Sequence, residues 1–165
     1  MQKYIEKNLT DYNILIKQLK GFIDISNHYI PVLSNAGAII MSNMENLNWA
    51  GFYLTEEFLQ ISDKTDLILG PYCGSIACVK IAVGKGVCGN AVKNDKIMIV
   101  PDVHQFPGHI ACDSASNSEI VIPIHKDNKI IGVLDIDSPM LDRFSSKDSI
   151  GLTDFVHTLE ALVFN

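Results

Sequence analysis

Two apolar segments joined by a short polar turn constrain the fold of this chain more than any other feature. Glu119 to His125 and Lys129 to Asp137 are rich in Ile and Val, and the residues 126–128 between them, Lys-Asp-Asn, are typical of a turn. The pattern predicts an antiparallel β-hairpin. It therefore favours a fold built around a largely antiparallel sheet.

The periodicity of apolar residues places the other elements. Four helices are predicted: from the N-cap Thr10 to a stop at Gly21, from about residue 30 to 43, a short one at 88–92, and a last one that begins at Ser145 with Asp148 as its capping-box partner. Further strands are predicted at 49–54, 67–69, 76–83 and 97–100, with Gly70-Pro71 separating the second from the third. Helices, then an antiparallel sheet, then a closing helix predict an α+β domain.

Length and charge limit the classes of function. A chain of 165 residues with 47% hydrophobic and 19% charged residues is expected to form one globular domain. The net charge of -6, without a basic patch, disfavours nucleic acid and anionic membranes as partners. The first residues do not resemble a signal peptide, and no apolar run reaches the roughly 18 residues of a membrane span. A cytoplasmic location is therefore expected.

Three carboxylates lie in the otherwise apolar sequence of the predicted hairpin. Asp135 and Asp137 are two residues apart on one strand and share a face, whereas Leu134 and Ile136 point to the other face. Glu119 begins the neighbouring strand and can lie close to them. Like charges among apolar residues repel and raise a pKa, which suits a shared proton, and such a cluster also suits a metal or ammonium cation. The alternative for Asp137 is that Asp137-Ser138-Pro139 ends the strand in a turn, and for Glu119 it is a solvated strand end.

All four cysteines, Cys73, Cys78, Cys88 and Cys112, fall in the middle of the chain. In a cytoplasmic chain, such clustering indicates metal binding or redox chemistry more than structural disulfides, and buried thiols that pack as small hydrophobes are the alternative. Their successive spacings of 5, 10 and 24 residues match no paired zinc motif.

The long irregular segment 101–117 surrounds one of these cysteines with polar residues. His104, His109 and Asp113 lie within ten positions of one another and flank Cys112. A long polar loop in a compact domain is usually functional, and a nearby imidazolium or backbone N–H groups would lower the pKa of an exposed thiol. The segment therefore favours a thiolate nucleophile at Cys112.

Four strings, in order, resemble one known family. They are NWAGFYL at 48–54, IACVKIAVGKGVCG at 76–89, VPDVHQFPGHIACDSASNSEIVIPI at 100–124 and IIGVLDIDSP at 130–139. Together they resemble the free methionine-R-sulfoxide reductases, which are built on a GAF domain. The resemblance implies a single GAF domain over 1–165, with a central six-stranded antiparallel sheet and the N-terminal and C-terminal helices on one face. It also implies a homodimer.

The resemblance implies roles for three of the four cysteines. Cys112 in GHIACD matches the nucleophile of the family, and Cys78 in IAC matches its resolving cysteine. Cys88 in GVCG matches a third cysteine that can replace or relay the second. Cys73 has no counterpart.

Carboxylates and aromatic residues are carried over in the same way. Glu119, Asp135 and Asp137 match the carboxylates that surround the sulfoxide. Trp49 matches the aromatic wall against the methyl group of the substrate, and Tyr53 on the same strand is expected to bind substrate with it.

The resemblance implies reduction of free methionine-(R)-sulfoxide, and the residue types at these positions suit a thiol-based reaction. The Cys112 thiolate would attack sulfur, a carboxylic acid would protonate oxygen, and Cys78 would resolve the resulting sulfenic acid to a disulfide that thioredoxin reduces. Neither a cofactor nor a metal is expected. The alternative is a non-catalytic GAF module that senses a small ligand, because one fold hosts many functions.

Overall fold

The structure is a computed structural model that describes residues 10–23, 28–110 and 113–164. Its centre is a six-stranded sheet with strand order β3-β2-β1-β6-β5-β4, in which all neighbouring strands are antiparallel. The strands are β1 (Trp49–Thr55), β2 (Leu67–Gly74), β3 (Lys80–Ile81), β4 (Met98–Val100), β5 (Ser118–Lys126) and β6 (Lys129–Ser138). The helices are α1 (Tyr12–Ile23), α2 (Tyr29–Asn43), α3 (Gly86–Asn94) and α4 (Ser146–Val163), with a short 3-10 helix at Val103–Gln105.

One face of the sheet is covered by the N-terminal and C-terminal helices. Alternate residues of the central strands, such as Phe52, Leu134 and Ile120, are fully buried there against apolar residues of α1, α2 and α4. The predicted α+β architecture, with these helices on one face, is thereby confirmed. Within the described ranges, no helix has the length and apolarity needed to cross a membrane.

The predicted hairpin is formed by β5 and β6. Lys126 pairs with Lys129, so the loop consists of Asp127 and Asn128. Both have positive φ, 51° and 61°, as a two-residue hairpin turn requires, and Asn and Asp adopt this conformation more readily than most residues. The turn therefore fixes the register that places Glu119 opposite Asp137 at the other end of the hairpin.

The predicted capping box of the last helix is also present. The hydroxyl of Ser145 accepts a hydrogen bond from the backbone N–H of Asp148, whose carboxylate accepts one from the backbone N–H of Ser145. The same carboxylate accepts hydrogen bonds from the hydroxyl of Tyr12 at 2.6 Å and from Nη1 of Arg143 at 3.3 Å. Asp148 thus joins α1 to the start of α4.

Two strand predictions are wrong. Gly70-Pro71 does not break a strand, because β2 continues through both residues, and most of 76–83 is irregular, leaving only Lys80–Ile81 as strand. Pro71 is tolerated because β3 pairs only with Leu67 and Ile68, so β2 is an edge at Pro71 and no ladder needs its missing N–H. A register shift between Gly51 and Tyr53 in the β1–β2 pairing accommodates an extra residue of β2 at this point.

The first helix also differs slightly from its prediction. It runs to Ile23 and so passes through Gly21, the predicted stop. At its start, the carboxylate of Asp11 accepts the N–H of Asn13, so Asp11 caps the helix where Thr10 was expected to.

Candidate active site

The face of the sheet opposite these helices carries the predicted polar residues. Across β1, β6 and β5, Trp49 pairs with Asp137, and Asp137 pairs with Glu119. Asp135 lies two residues away from Asp137 and opposite Gly51, on the same face. The register therefore brings the three carboxylates together beside the indole, as the alternation in the sequence predicts.

A cavity lies over this polar face and is closed by α3 and by the loops on either side of it. Its volume is about 500 Å³ when the space open to solvent at the mouth is included. Val87 and Cys88 of α3 form one wall, and His109 lies on the loop that precedes β5. Ile76 and Ile110 line the mouth. A cavity with an aromatic and apolar wall on which several polar groups converge is typical of small-molecule sites.

The aromatic wall of the cavity consists of Trp49 and Tyr53. Trp49 Nε1 donates to the carbonyl of Ser75 at 3.2 Å, and its ring stacks on Tyr72 at a centroid distance of 5.2 Å. The hydroxyl of Tyr53 donates to the carbonyl of Cys78 at 2.9 Å, which joins the wall to the segment that carries this cysteine. The two rings lie 6.0 Å apart and nearly parallel.

Gly51 makes room for the indole. A Cβ at this position would lie 2.6 Å from Trp49 Cη2 and 2.3 Å from the Cβ of Tyr72. Neither contact is sterically possible without movement of β1 against β2. The glycine in NWAGFYL is therefore required by the packing of the aromatic wall.

Burial perturbs all three carboxyl groups. Burial, and then the charges of Asp135 and Asp137, raise the pKa of Glu119 well above its usual range. The pKa of Asp137 is also raised, first by burial and then by the charges of Asp135 and Asp113. Burial raises the pKa of Asp135 to about 6, although hydrogen bonds from Cys88 and Glu119 oppose the effect. Burial thus favours the protonated form of all three carboxyl groups.

Cys88 and His109 flank Glu119 on opposite sides. Cys88 Sγ lies 3.9 Å from Glu119 Oε1, and His109 Nε2 lies 3.9 Å from Glu119 Oε2. Burial, followed by the charges of Asp135 and Glu119, raises the pKa of the Cys88 thiol well above its usual value. Burial also lowers the pKa of His109, so its imidazole is neutral at pH 7. Neither group therefore supplies a positive charge that would compensate the carboxylates.

The structure adds two residues that the sequence did not single out. The amide of Asn48 donates to Asp113 Oδ2 at 3.1 Å and to Ser116 Oγ at 3.0 Å. Ser116 also lines the cavity, and its hydrogen bond to Asp137 opposes the rise in the pKa of that group. Asn48 and Ser116 both lie inside the family-like strings, but nothing about their spacing marks them as partners.

The cysteines have different environments. Cys112, the predicted nucleophile, lies outside the described residues. Cys78 is disulfide-bonded, and the thiols of Cys88 and Cys73 are free. Cys73 pairs with Ala50 on the helix-covered face of the sheet, and a Cβ on Gly37 of α2 would lie 3.8 Å from its sulfur.

Of the polar residues predicted on the loop 101–117, the structure places two at the cavity. His109 and Asp113 line it. His104 instead turns outward, where its Nε2 lies 2.9 Å from Asn117 Oδ1 at the surface.

Comparison with known proteins identifies the class first. The family model of the GAF domain matches residues 35–162. The chain is 50% identical over 135 residues to the free methionine-R-sulfoxide reductase of Escherichia coli, covering 82% of this chain and 78% of that protein. The fold and this match define a GAF domain protein.

Solved structures narrow the class to one family. The reduced form of fRMsr from Staphylococcus aureus matches with a TM-score of 0.86 and 49% identity, over 94% of this chain and 97% of that one. The free methionine-R-sulfoxide reductase of Neisseria meningitidis in complex with its substrate matches with a TM-score of 0.84 and 36% identity, over 92% of this chain and 87% of that one. The chain therefore belongs to the family of free methionine-R-sulfoxide reductases, and the resemblance stated from its sequence is confirmed.

Proposed function

We propose that this enzyme reduces free methionine-(R)-sulfoxide to methionine, with Cys112 as nucleophile and the carboxyl cluster as the source of the proton. The observation that carries the proposal is the position of Glu119 and Asp137, two buried carboxyl groups whose pKa values are raised, beside the indole of Trp49. A sulfoxide oxygen is a poor leaving group until it is protonated, and burial favours the protonated form of a carboxyl group, which can donate its proton to that oxygen.

The proposed reaction takes place in two chemical steps. The Cys112 thiolate attacks the sulfoxide sulfur while the acid protonates the oxygen, and the hydroxyl passes to Cys112 as methionine leaves. The substrate gains two electrons, and the thiolate becomes a sulfenic acid. The Cys78 thiolate then attacks the Cys112 sulfur, and the hydroxyl departs with a proton as water. Support for the resolving role of Cys78 comes from its being disulfide-bonded.

The remaining proposals concern turnover and setting. The disulfide is reduced by exchange with an external dithiol, proposed to be thioredoxin, which returns both thiols. Cys88, buried in the cluster, serves as the reserve resolving thiol. The resemblance to the family also implies a homodimer, a cytoplasmic location and a role under oxidative stress.

Selectivity for the free amino acid follows from the shape of the site. The cavity is bounded by the sheet, by α3 and by the loop carrying His109. A methionine within a polypeptide would need openings for the chain on both sides. We therefore propose that peptide-bound sulfoxide is excluded, and that Trp49 packs against the methyl group of the free substrate.

An epimer-resolved assay tests the proposal. Purified protein with dithiothreitol is given free methionine sulfoxide, and consumption of the R and S forms is followed separately. Only the R form should disappear, Cys112→Ser should abolish turnover, and Cys73→Ser, a cysteine on the other face of the sheet, should remain active. Consumption of both epimers or of a sulfoxide in a peptide would refute the specificity. Binding without turnover would favour the sensor module.

A further inference from the structure

Three donor atoms at the base of the cavity have the composition of a metal site. Cys88 Sγ and one oxygen each from Glu119 and Asp135 lie within 4.8 Å of one another, and all three residues are buried. Cys88 Sγ and Glu119 Oε1 are 3.9 Å apart. With Zn–S of about 2.3 Å and Zn–O of about 2.0 Å, two ligands of a tetrahedral zinc ion lie about 3.5 Å apart. A contraction of about 0.4 Å would bring Cys88 Sγ and Glu119 Oε1 to ligand spacing, and no pair of the three donors needs to close by more than about 1.3 Å.

A second observation is that one carboxylate oxygen at this site lacks a hydrogen-bond partner. Asp135 is 6% exposed and lines the cavity, yet its Oδ1 has no hydrogen-bond partner in the part of the chain that the structure describes. A buried carboxylate oxygen without a donor loses its hydration and gains nothing in return, which is unfavourable. A cation beside Oδ1 would remove that cost.

We propose that Cys88, Glu119 and Asp135 form an inhibitory Zn²⁺ site at the base of the cavity. One thiolate and two carboxylates suit this borderline cation, whereas Ca²⁺ and Mg²⁺ require six or more oxygen ligands. Three protein ligands leave a fourth position, and it faces the cavity. Zinc reaches the site through the same mouth as a small-molecule substrate.

Occupation of this site displaces protons. A cysteine binds zinc as its thiolate, so the Cys88 thiol must lose its proton to become a ligand. Zinc binding should therefore release at least one proton at pH 7, and the affinity should rise with pH. An ion on these residues would occupy the cavity proposed to take the substrate, so it should inhibit reduction competitively. This last expectation alone rests on the proposed function.

Cobalt spectroscopy tests the site without any assay of activity. Tag-free protein in the oxidised state, with Cys78 disulfide-bonded, is titrated with Co²⁺, and the thiolate-to-cobalt absorption is recorded before Zn²⁺ is added in competition. We expect a charge-transfer band at one equivalent, lost on adding Zn²⁺. Cys88→Ser should abolish the band and weaken Zn²⁺ binding by about 100-fold or more.

Matched variants make the result decisive. Cys73→Ser, which removes the other free thiol, should keep the band and the affinity, whereas Glu119→Gln should weaken Zn²⁺ binding by at least about tenfold even if Cys88→Ser fails to fold. A band that survives Cys88→Ser, or Zn²⁺ uptake without proton release, would overturn the proposal. Failure of the activity assay with the band intact would refute the proposed function and leave the zinc site standing.

Discussion

Replacing Asp135 with asparagine isolates the cost of an ionised carboxylate inside the cavity. The pKa of this group is raised from 3.8 to about 6, first by burial. The folded protein thus holds the proton more tightly than the unfolded chain does. This tighter binding of the proton adds to the free energy of unfolding. The addition is fully present below about pH 4 and is lost as the pH rises to about 6. The difference in pKa corresponds to about 3 kcal/mol in the free energy of unfolding.

The expected result is a pH-dependent difference between Asp135→Asn and the native protein. The free energy of unfolding of Asp135→Asn minus that of the native protein should be about 3 kcal/mol larger at pH 7.5 than at pH 3.5. Using the change with pH cancels the constant cost of burying an amide, because that cost is the same at both pH values.

Denaturant unfolding at a series of pH values measures this difference, with Asp154→Asn as the matched control. Asp154 is exposed on α4, so its replacement should change the free energy of unfolding by less than about 0.5 kcal/mol at every pH. If the difference for Asp135→Asn is equally flat with pH, the carboxylate is not destabilised by burial, and the reasoning about the cluster is wrong.

Three further changes test other parts of the structure. With a thioredoxin system, Cys78→Ser should form about one methionine per enzyme and then stall, as product counting will show, and full turnover would transfer the resolving role elsewhere. Gly51→Ala places a Cβ 2.3 Å from that of Tyr72, so it should cost about 1–3 kcal/mol of stability and reduce kcat/KM, measured by melting and steady-state kinetics. Asp148→Ala leaves Arg143 buried without its carboxylate and removes the cap of α4, so denaturant unfolding should show a loss of about 3–5 kcal/mol, and a loss below 1 kcal/mol would contradict this role.

Local patterns in the sequence predict much of the sheet and of the site. The alternation in β6 places Asp135 and Asp137 on one face, and the Asp127-Asn128 turn fixes their register with Glu119. These relations depend only on the period of a strand and on the turn type, so they can be read from neighbouring residues. The same holds for the capping box of α4, which spans four residues.

Features that depend on distant segments could not be predicted in this way. Pro71 was expected to break the strand, because nothing in the neighbouring sequence shows that β3 ends before it reaches this residue. The end of β3 leaves β2 as an edge strand at Pro71, where a proline is tolerated. The contact of Asn48 with Asp113 joins residues 65 positions apart, so it appears only in the folded chain. The same is true of the thiol of Cys88 beside Glu119, 31 positions away, whose spacing matches no metal motif.

The single-turnover rate of methionine formation in Glu119→Gln and Asp137→Asn tests most directly whether the carboxyl cluster supplies the proton. In both variants, loss of the acid should slow the reductive step by about 100-fold or more, the usual scale of general acid catalysis. Melting curves recorded on the same samples should show stability that holds or rises, since each change removes a group from a crowded acidic cluster. Native single-turnover rates in both variants, or losses of activity explained by unfolding, would contradict the assignment of the proton to this cluster.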